Sequence, residues 1–146
     1  MSVEQNKTLA RRWYAEVWDR GESERIGDFI AADCVHHVGS GTIRQGPPEW
    51  LAIMDRWHRA FPDLRHSIEL LVAEGDTVAA YFSFSGTHTG PFTTGGLTVP
   101  PTGRPFTARE VVIFRYVDGK VVESWAVWDR LGALQQLGAA ALAAQV

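Results

Sequence analysis

Asp129 is the carboxylate whose surroundings in the sequence best suit chemistry. It ends the run Ser124-Trp125-Ala126-Val127-Trp128-Asp129, in which Ser124 is the only other polar residue. On a strand, alternate side chains share a face, so Asp129 groups with Trp125 and Val127. If that face lines a cavity, a carboxylate stands among indoles. Desolvation then lifts its pKa above the reference of about 3.9, by up to ~3–5 units at full burial. Such a group takes and returns a proton near neutral pH. A second reading stands beside this one. Asp129 directly precedes a helical stretch and can serve as its N-cap, where backbone N–H groups lower the pKa. Both hold at once if only one carboxylate oxygen caps.

His37 and His88 are the next candidates. His37 lies in a short extended segment over 33–38, next to His36, so the two histidines point to opposite faces. His88 ends a strand at Gly86-Thr87-His88-Thr89-Gly90. There it either reaches a pocket mouth or bonds a loop carbonyl. Arg109 and Glu110 sit mid-strand on opposite faces, so one of them points inward. Glu123 is placed to pair with Arg109 or Arg115 across a hairpin. Tyr14, Trp57 and Phe61 fit either a pocket wall or plain core, and Trp125 joins the wall if its face turns inward. His58 and His66 read as structural or exposed.

Sharper motifs are missing. The chain has no phosphate-binding loop, dinucleotide fingerprint or nucleophile elbow. Its histidines lack the i, i+4 spacing of a helical zinc site, so neither metal nor cofactor is expected. Cys34 is the only cysteine, which excludes an intrachain disulfide.

These residues must be positioned by a particular order of elements. Leu9, Trp13 and Val17 form one helical stripe with Ala10, Tyr14 and Trp18 beside it, and Gly21 ends the helix. A short helix follows, opened by Ser23. The segment 39–46 reads as a loop, and Pro47 and Pro48 suit the first turn of a helix running to about residue 60. After Pro62 the period changes to two. Strands are predicted over 64–73, 77–88, 106–117 and 120–128, with turns at Glu74-Gly75-Asp76 and Asp118-Gly119. Residues 89–105, rich in Gly, Pro and Thr, read as a mobile flap. Residues 129–138 return to helix. Helices first and hairpin-linked strands later argue for an α+β fold with a curved, mostly antiparallel sheet wrapped on the N-terminal helices and enclosing one pocket.

Composition bounds the rest. The 146 residues suit one domain, 1–146, and carry a net charge of −3, which disfavours nucleic acid. Six tryptophans are many for this length and suggest an aromatic-lined cavity. Neither a signal core nor a membrane-length apolar run is present, so the expected location is the cytoplasm. The strands over 77–88 and 106–117 carry more apolar residues than one covered face requires, which points to a homodimer.

The ordered set Phe61-Pro62-Asp63-Leu64, Gly86-Thr87-His88-Thr89-Gly90, Pro100-Pro101-Thr102-Gly103, Asp118-Gly119-Lys120 and Trp128-Asp129-Arg130-Leu131-Gly132 resembles the SnoaL-like polyketide cyclase and ester cyclase family. The resemblance spans nearly the whole chain. It implies the cone-shaped nuclear transport factor 2-like fold, often dimeric through its sheet. It also implies cofactor-independent ring closure of a polyketide-like carbonyl compound by aldol condensation. Asp129 matches the family's general acid/base, and His37 and His88 match histidines near the pocket. Many relatives carry histidine where this chain has Ser124. The alternatives are a steroid-type ketone isomerase, an epoxide hydrolase, and a non-catalytic binder of a small apolar molecule.

Overall fold

The computed structural model describes residues 1–39 and 41–143. Helix α1 (Val3–Arg12) opens with a capping box in which Ser2 and Gln5 satisfy each other's backbone N–H groups. It passes without a break into a π-helical segment, Trp13–Asp19, whose wider turn is closed by the Arg20 N–H donating to the Ala15 carbonyl. That widening has a packing consequence. Residues five apart fall about one turn apart, so Trp13 and Trp18 are buried on the same side as Tyr14 and Val17. A 3-10 turn (Ser23–Arg25) and the short α2 (Ile26–Phe29) lead into β1 (Ile30–Val38). Ser23 lies inside that turn and caps nothing through its side chain.

The expected loop over 39–46 contains a strand, β2 (Thr42–Gln45), antiparallel to β1. Ser40 lies outside the described residues. Helix α3 (Gly46–Ala60) starts one residue before its prolines. Then come β3 (Arg65–Glu74), β4 (Thr77–Thr87), the small hairpin β5 (Phe92–Thr94) and β6 (Leu97–Val99), β7 (Pro105–Val117) and β8 (Lys120–Trp128). The chain closes with α4 (Arg130–Gln136) and α5 (Ala140–Ala143).

The main sheet runs β2-β1-β8-β7-β4-β3, antiparallel except for the pair β1–β8. Period-two alternation is cleanest in β4, where Val78, Ala80, Phe82 and Phe84 face the helices. Irregular registers fall between Ile68 and Leu70, between Ile30 and Val35, and at the β7–β8 pairing between Arg115 and Tyr116. Such bulges increase local twist and bend a sheet over what it covers.

The last irregularity decides which face of β8 is inside. Tyr116 opposes Val121 while Arg115 opposes Glu123, so Val122 is an extra residue. A slip of one residue exchanges the two faces of a strand. Val121 faces in, and past the bulge so do Ser124, Ala126 and Trp128, leaving Trp125 and Val127 outside. Trp125 and Val127 do share a face, as alternation requires, but it is the outer face of the sheet, so the condition that this face lines the cavity is not met.

The segment 89–105 is built rather than shapeless. Phe92 and Val99 are buried pegs, Thr89 and Gly90 donate to the Ala60 carbonyl, and Gly103 donates to the His88 carbonyl. Gly90 has to be glycine, because a Cβ there would run into the Arg59 carbonyl.

Candidate active site

A cavity of about 930 Å³ lies between the π-helical segment, α3 and the inner face of the sheet. Its walls are largely aromatic. Tyr14 packs on Phe82 with ring centroids 4.5 Å apart, and Trp57 meets Trp128 edge-on at 5.3 Å and Phe92 at 5.0 Å. Exposed Arg56 and Asp129 mark its mouth, together with Arg130, whose guanidinium lies against Gly95 at the tip of the β5–β6 hairpin.

Of the Arg109 and Glu110 pair, Glu110 faces the cavity. It sits opposite Phe82 on one side and Trp128 on the other. No hydrogen bond or ion pair engages its carboxyl among the described residues. Burial among apolar neighbours pushes that carboxyl from 4.5 up to about 8. Tyr14 is raised well above its ordinary value, first by burial and then by the Glu110 charge. Arg109 is on the outer face, 3.5 Å from Glu69, so it does not line the cavity.

His36, not His37, is the inward histidine of β1. It is buried, its Nδ1 hydrogen-bonded to Ser124 Oγ at 2.5 Å, with its ring 4.3 Å from that of Trp50. His37 lies on the outer face. There its Nε2 is 2.9 Å from Glu123 Oε2 and its ring stacks on Trp125. Glu123 also takes Arg115 at 3.2 Å, and these two bonds, His37's first, hold its carboxyl below the usual range.

His66 also lines the cavity. Its Nδ1 is 2.7 Å from Asp19 Oδ1, and its backbone N–H donates to the same carboxylate. With Nδ1–H donating to Asp19, the neutral ring keeps Nε2 as an acceptor. Nothing in the sequence marks this pair, because 46 residues and a change of element separate the partners.

The remaining candidates are scattered. His88 is fully buried behind the cavity wall, its Nδ1 accepting from the Thr102 N–H at 3.2 Å, and burial lowers its pKa. Phe61 is fully buried beside it, 4.5 Å from Phe106, and belongs to the core rather than the lining. Trp125 is 37% exposed on the outer face. Asp129 reaches the mouth and caps α4, its Oδ1 accepting from the Gly132 N–H at 2.9 Å. A Cβ at Gly132 would collide with that carboxylate, so the glycine keeps the cap close. Of the sequence candidates, then, Asp129, Glu110, Tyr14 and Trp57 meet at one cavity. Among the described residues no three His, Cys, Asp or Glu side chains cluster as metal ligands, and no helix is long and apolar enough to cross a membrane.

The family profile described as SnoaL-like polyketide cyclase matches residues 8–137. Aklanonic acid methyl ester cyclase DnrD of Streptomyces peucetius is 29% identical over 136 residues, covering 89% of this chain and 88% of its own. Nogalonic acid methyl ester cyclase of Streptomyces nogalater is 29% identical over 126 residues, covering 83% and 89%. Among solved structures, AclR of Streptomyces galilaeus, a candidate hydroxylase, superposes with a TM-score of 0.81 at 31% identity over 94% of this chain and 83% of its own. IdmH of Streptomyces antibioticus, a candidate polyketide cyclase, gives 0.78 at 33% over 92% and 99%. A Catenulispora acidiphila protein with the ketosteroid isomerase-like fold gives 0.71 at 18% over 89% and 92%, a likeness of fold alone.

Proposed function

The chain belongs to the SnoaL-like polyketide cyclase family, and from that membership we propose that it is an enzyme closing a ring in a polyketide-like carbonyl compound by intramolecular aldol addition. The observation that carries the reading is the aromatic cavity of about 930 Å³, with a carboxylate at its mouth and hydrogen-bonding groups deeper in.

Asp129 is the proposed base. One oxygen caps α4 and the other is left for a substrate C–H at the mouth. The proton passes to Asp129 and the electron pair moves through the enolate to carbon. A new C–C bond forms as the attacked carbonyl's π pair moves onto its oxygen, and that oxygen takes the proton back from Asp129 to become a hydroxyl. Substrate and product are isomers, so the step is redox-neutral and self-contained. Flat aromatic walls hold a folded chain with its reacting carbons close, which lowers the entropic part of the barrier.

Aklanonic acid methyl ester and nogalonic acid methyl ester, the compounds named for two relatives, are the first substrates to test. Ring closure gives a product of unchanged mass with a new retention time and absorbance. The His66–Asp19 pair favours a second reading, activation of water to open an epoxide. That reaction adds the mass of water, so the same chromatogram tells the two apart. Return of both esters and of a panel of polyketide epoxides unchanged counts against both.

A further inference from the structure

We propose that Tyr14 and Glu110 form a two-donor seat for a ligand oxygen that carries negative charge, the oxygen of an enolate or a phenolate. The inference deepens the cyclase reading but concerns a different part of the cavity from Asp129.

The two side chains come from elements far apart in sequence, the π-helical segment and β7, and both line the cavity. Tyr14 packs on Phe82, Phe82 is the cross-strand neighbour of Glu110, and the Glu110 charge is felt at the Tyr14 hydroxyl, so the two side chains share one wall of the cavity. Neither makes a hydrogen bond or ion pair with another described residue. Glu110 is flanked by Phe82 and Trp128 across its two strand pairings, and its sequence neighbour Arg109 points to the outer face. An ionised carboxylate there is partly shielded from water and gains no cation in exchange, so the neutral acid is favoured, as the rise to about 8 reflects.

A neutral carboxylic acid and a neutral phenol are both O–H donors. Two such donors set among aromatic rings suit an oxyanion, and an oxyanion beside Glu110 holds its proton more firmly still. During enolisation a C–H bond breaks, its proton leaves to the base, and the carbonyl π pair moves onto oxygen. The two O–H groups hydrogen-bond to that oxygen, and their own O–H bonds stay intact. The other charged or titratable groups on the cavity are His66 from β3, His36 from β1, Arg56 from α3, and Asp129 and Arg130 at the mouth.

The test needs no substrate, so it stands apart from the cyclase assay. The probes are 4-nitrophenol, which is yellow only as the phenolate, and 4-nitroanisole, its methyl ether, which cannot ionise. Both are titrated into the parent protein and into Glu110→Gln, Glu110→Leu, Tyr14→Phe and Arg56→Gln. The parent is expected to bind 4-nitrophenol as the phenolate, seen as extra yellow colour at a pH just below the probe's own ionisation. Glu110→Leu and Tyr14→Phe should each lose about 10- to 100-fold in phenolate affinity, the range for a hydrogen bond to a charged group. Glu110→Gln, whose amide still donates, should keep most of it. All four variants should bind 4-nitroanisole like the parent, which reports an intact cavity.

Stronger phenolate binding by Glu110→Leu would overturn the proposal, because it means that Glu110 is ionised and repels the anion. Loss in Arg56→Gln with none in Glu110→Leu would overturn it too, placing the anion on the rim cation. So would a parent that binds 4-nitroanisole and not the phenolate, or one that binds neither probe.

Discussion

Ser124 Oγ lies 2.5 Å from His36 Nδ1, across the parallel pairing of β1 with β8. The bond ties the two strands that run alongside each other and fixes a histidine ring in the cavity wall. Ser124→Ala removes it and should lower stability by about 1–2 kcal/mol, the usual cost of a buried hydrogen bond. Urea denaturation of the two proteins measures this, and an unchanged midpoint would contradict it.

Asp129 separates cap from catalyst. Asparagine caps a helix about as well as aspartate, so Asp129→Asn should melt within a few degrees of the parent. An amide cannot take a proton, so turnover of a responsive ester should fall on the order of 10²-fold or more. Asp129→Ala should lose the same activity and about 1 kcal/mol besides. Full activity in Asp129→Asn would remove this residue from the proton transfer.

Glu110 should make the protein less stable as pH rises. Its carboxyl is raised from 4.5 to about 8 in the folded state. Between those values the unfolded chain has released a proton that the folded chain keeps, so stability falls with rising pH. Glu110→Gln should flatten that slope and gain stability over the parent, on the order of 2–4 kcal/mol by pH 9. His88, with a lowered pKa, works in the opposite sense at lower pH and is common to both proteins. Parallel curves for parent and variant from pH 5 to 9 would show that Glu110 ionises normally.

The Asp19 carboxylate holds both the ring and the backbone N–H of His66. Asp19→Ala should cost about 2–3 kcal/mol, since two donors lose one charged acceptor. A loss below ~0.5 kcal/mol, read from chemical denaturation, would mean that the pair does not anchor the start of β3.

A second copy of the chain is expected on the outer face of the sheet. Two apolar rows cross it in register, Leu70–Tyr81–Val111–Val127 and Val72–Ala79–Ile113–Trp125. Leu70, Val72 and Val127 are each more than 60% exposed, an unusual concentration on one surface. Sedimentation at micromolar concentration should give the mass of two chains, and Val127→Lys should give one. A parent sedimenting as one chain would defeat this expectation.

Much of this architecture could be read from residue order. The change of period after Pro62, the turns at Gly75 and Gly119, and the closing helix behind Asp129 are local signals, and local chemistry sets them. Inside and outside were harder. Alternation assigns faces only while the register is unbroken, and the extra residue at Val122 reverses the parity of β8. Past it, alternation separates Trp125 and Val127 from Ser124 and Ala126, but only the sheet pairing and packing tell which set faces in. In the same way two adjacent histidines offer no sign of which one faces in, and the sheet pairing selects His36. The Asp19–His66 pair was invisible because only the tertiary fold brings a helix end to a strand start. Glu110 was half legible, since parity required one of two neighbours to turn inward and only packing could choose.

The π-helical run Trp13–Asp19 has a consequence for comparing this protein with its relatives. In a regular α-helix, residues five apart point about 140° away from each other. A relative that is α-helical here could bring the counterparts of Trp13 and Trp18 to one cavity only at a spacing of three or four. The two helices would then align with a gap of one or two residues. Such a gap in mid-helix would record a cavity wall re-spaced about Tyr14, and substrate preference would follow chain length at that point rather than the identity of any lining side chain.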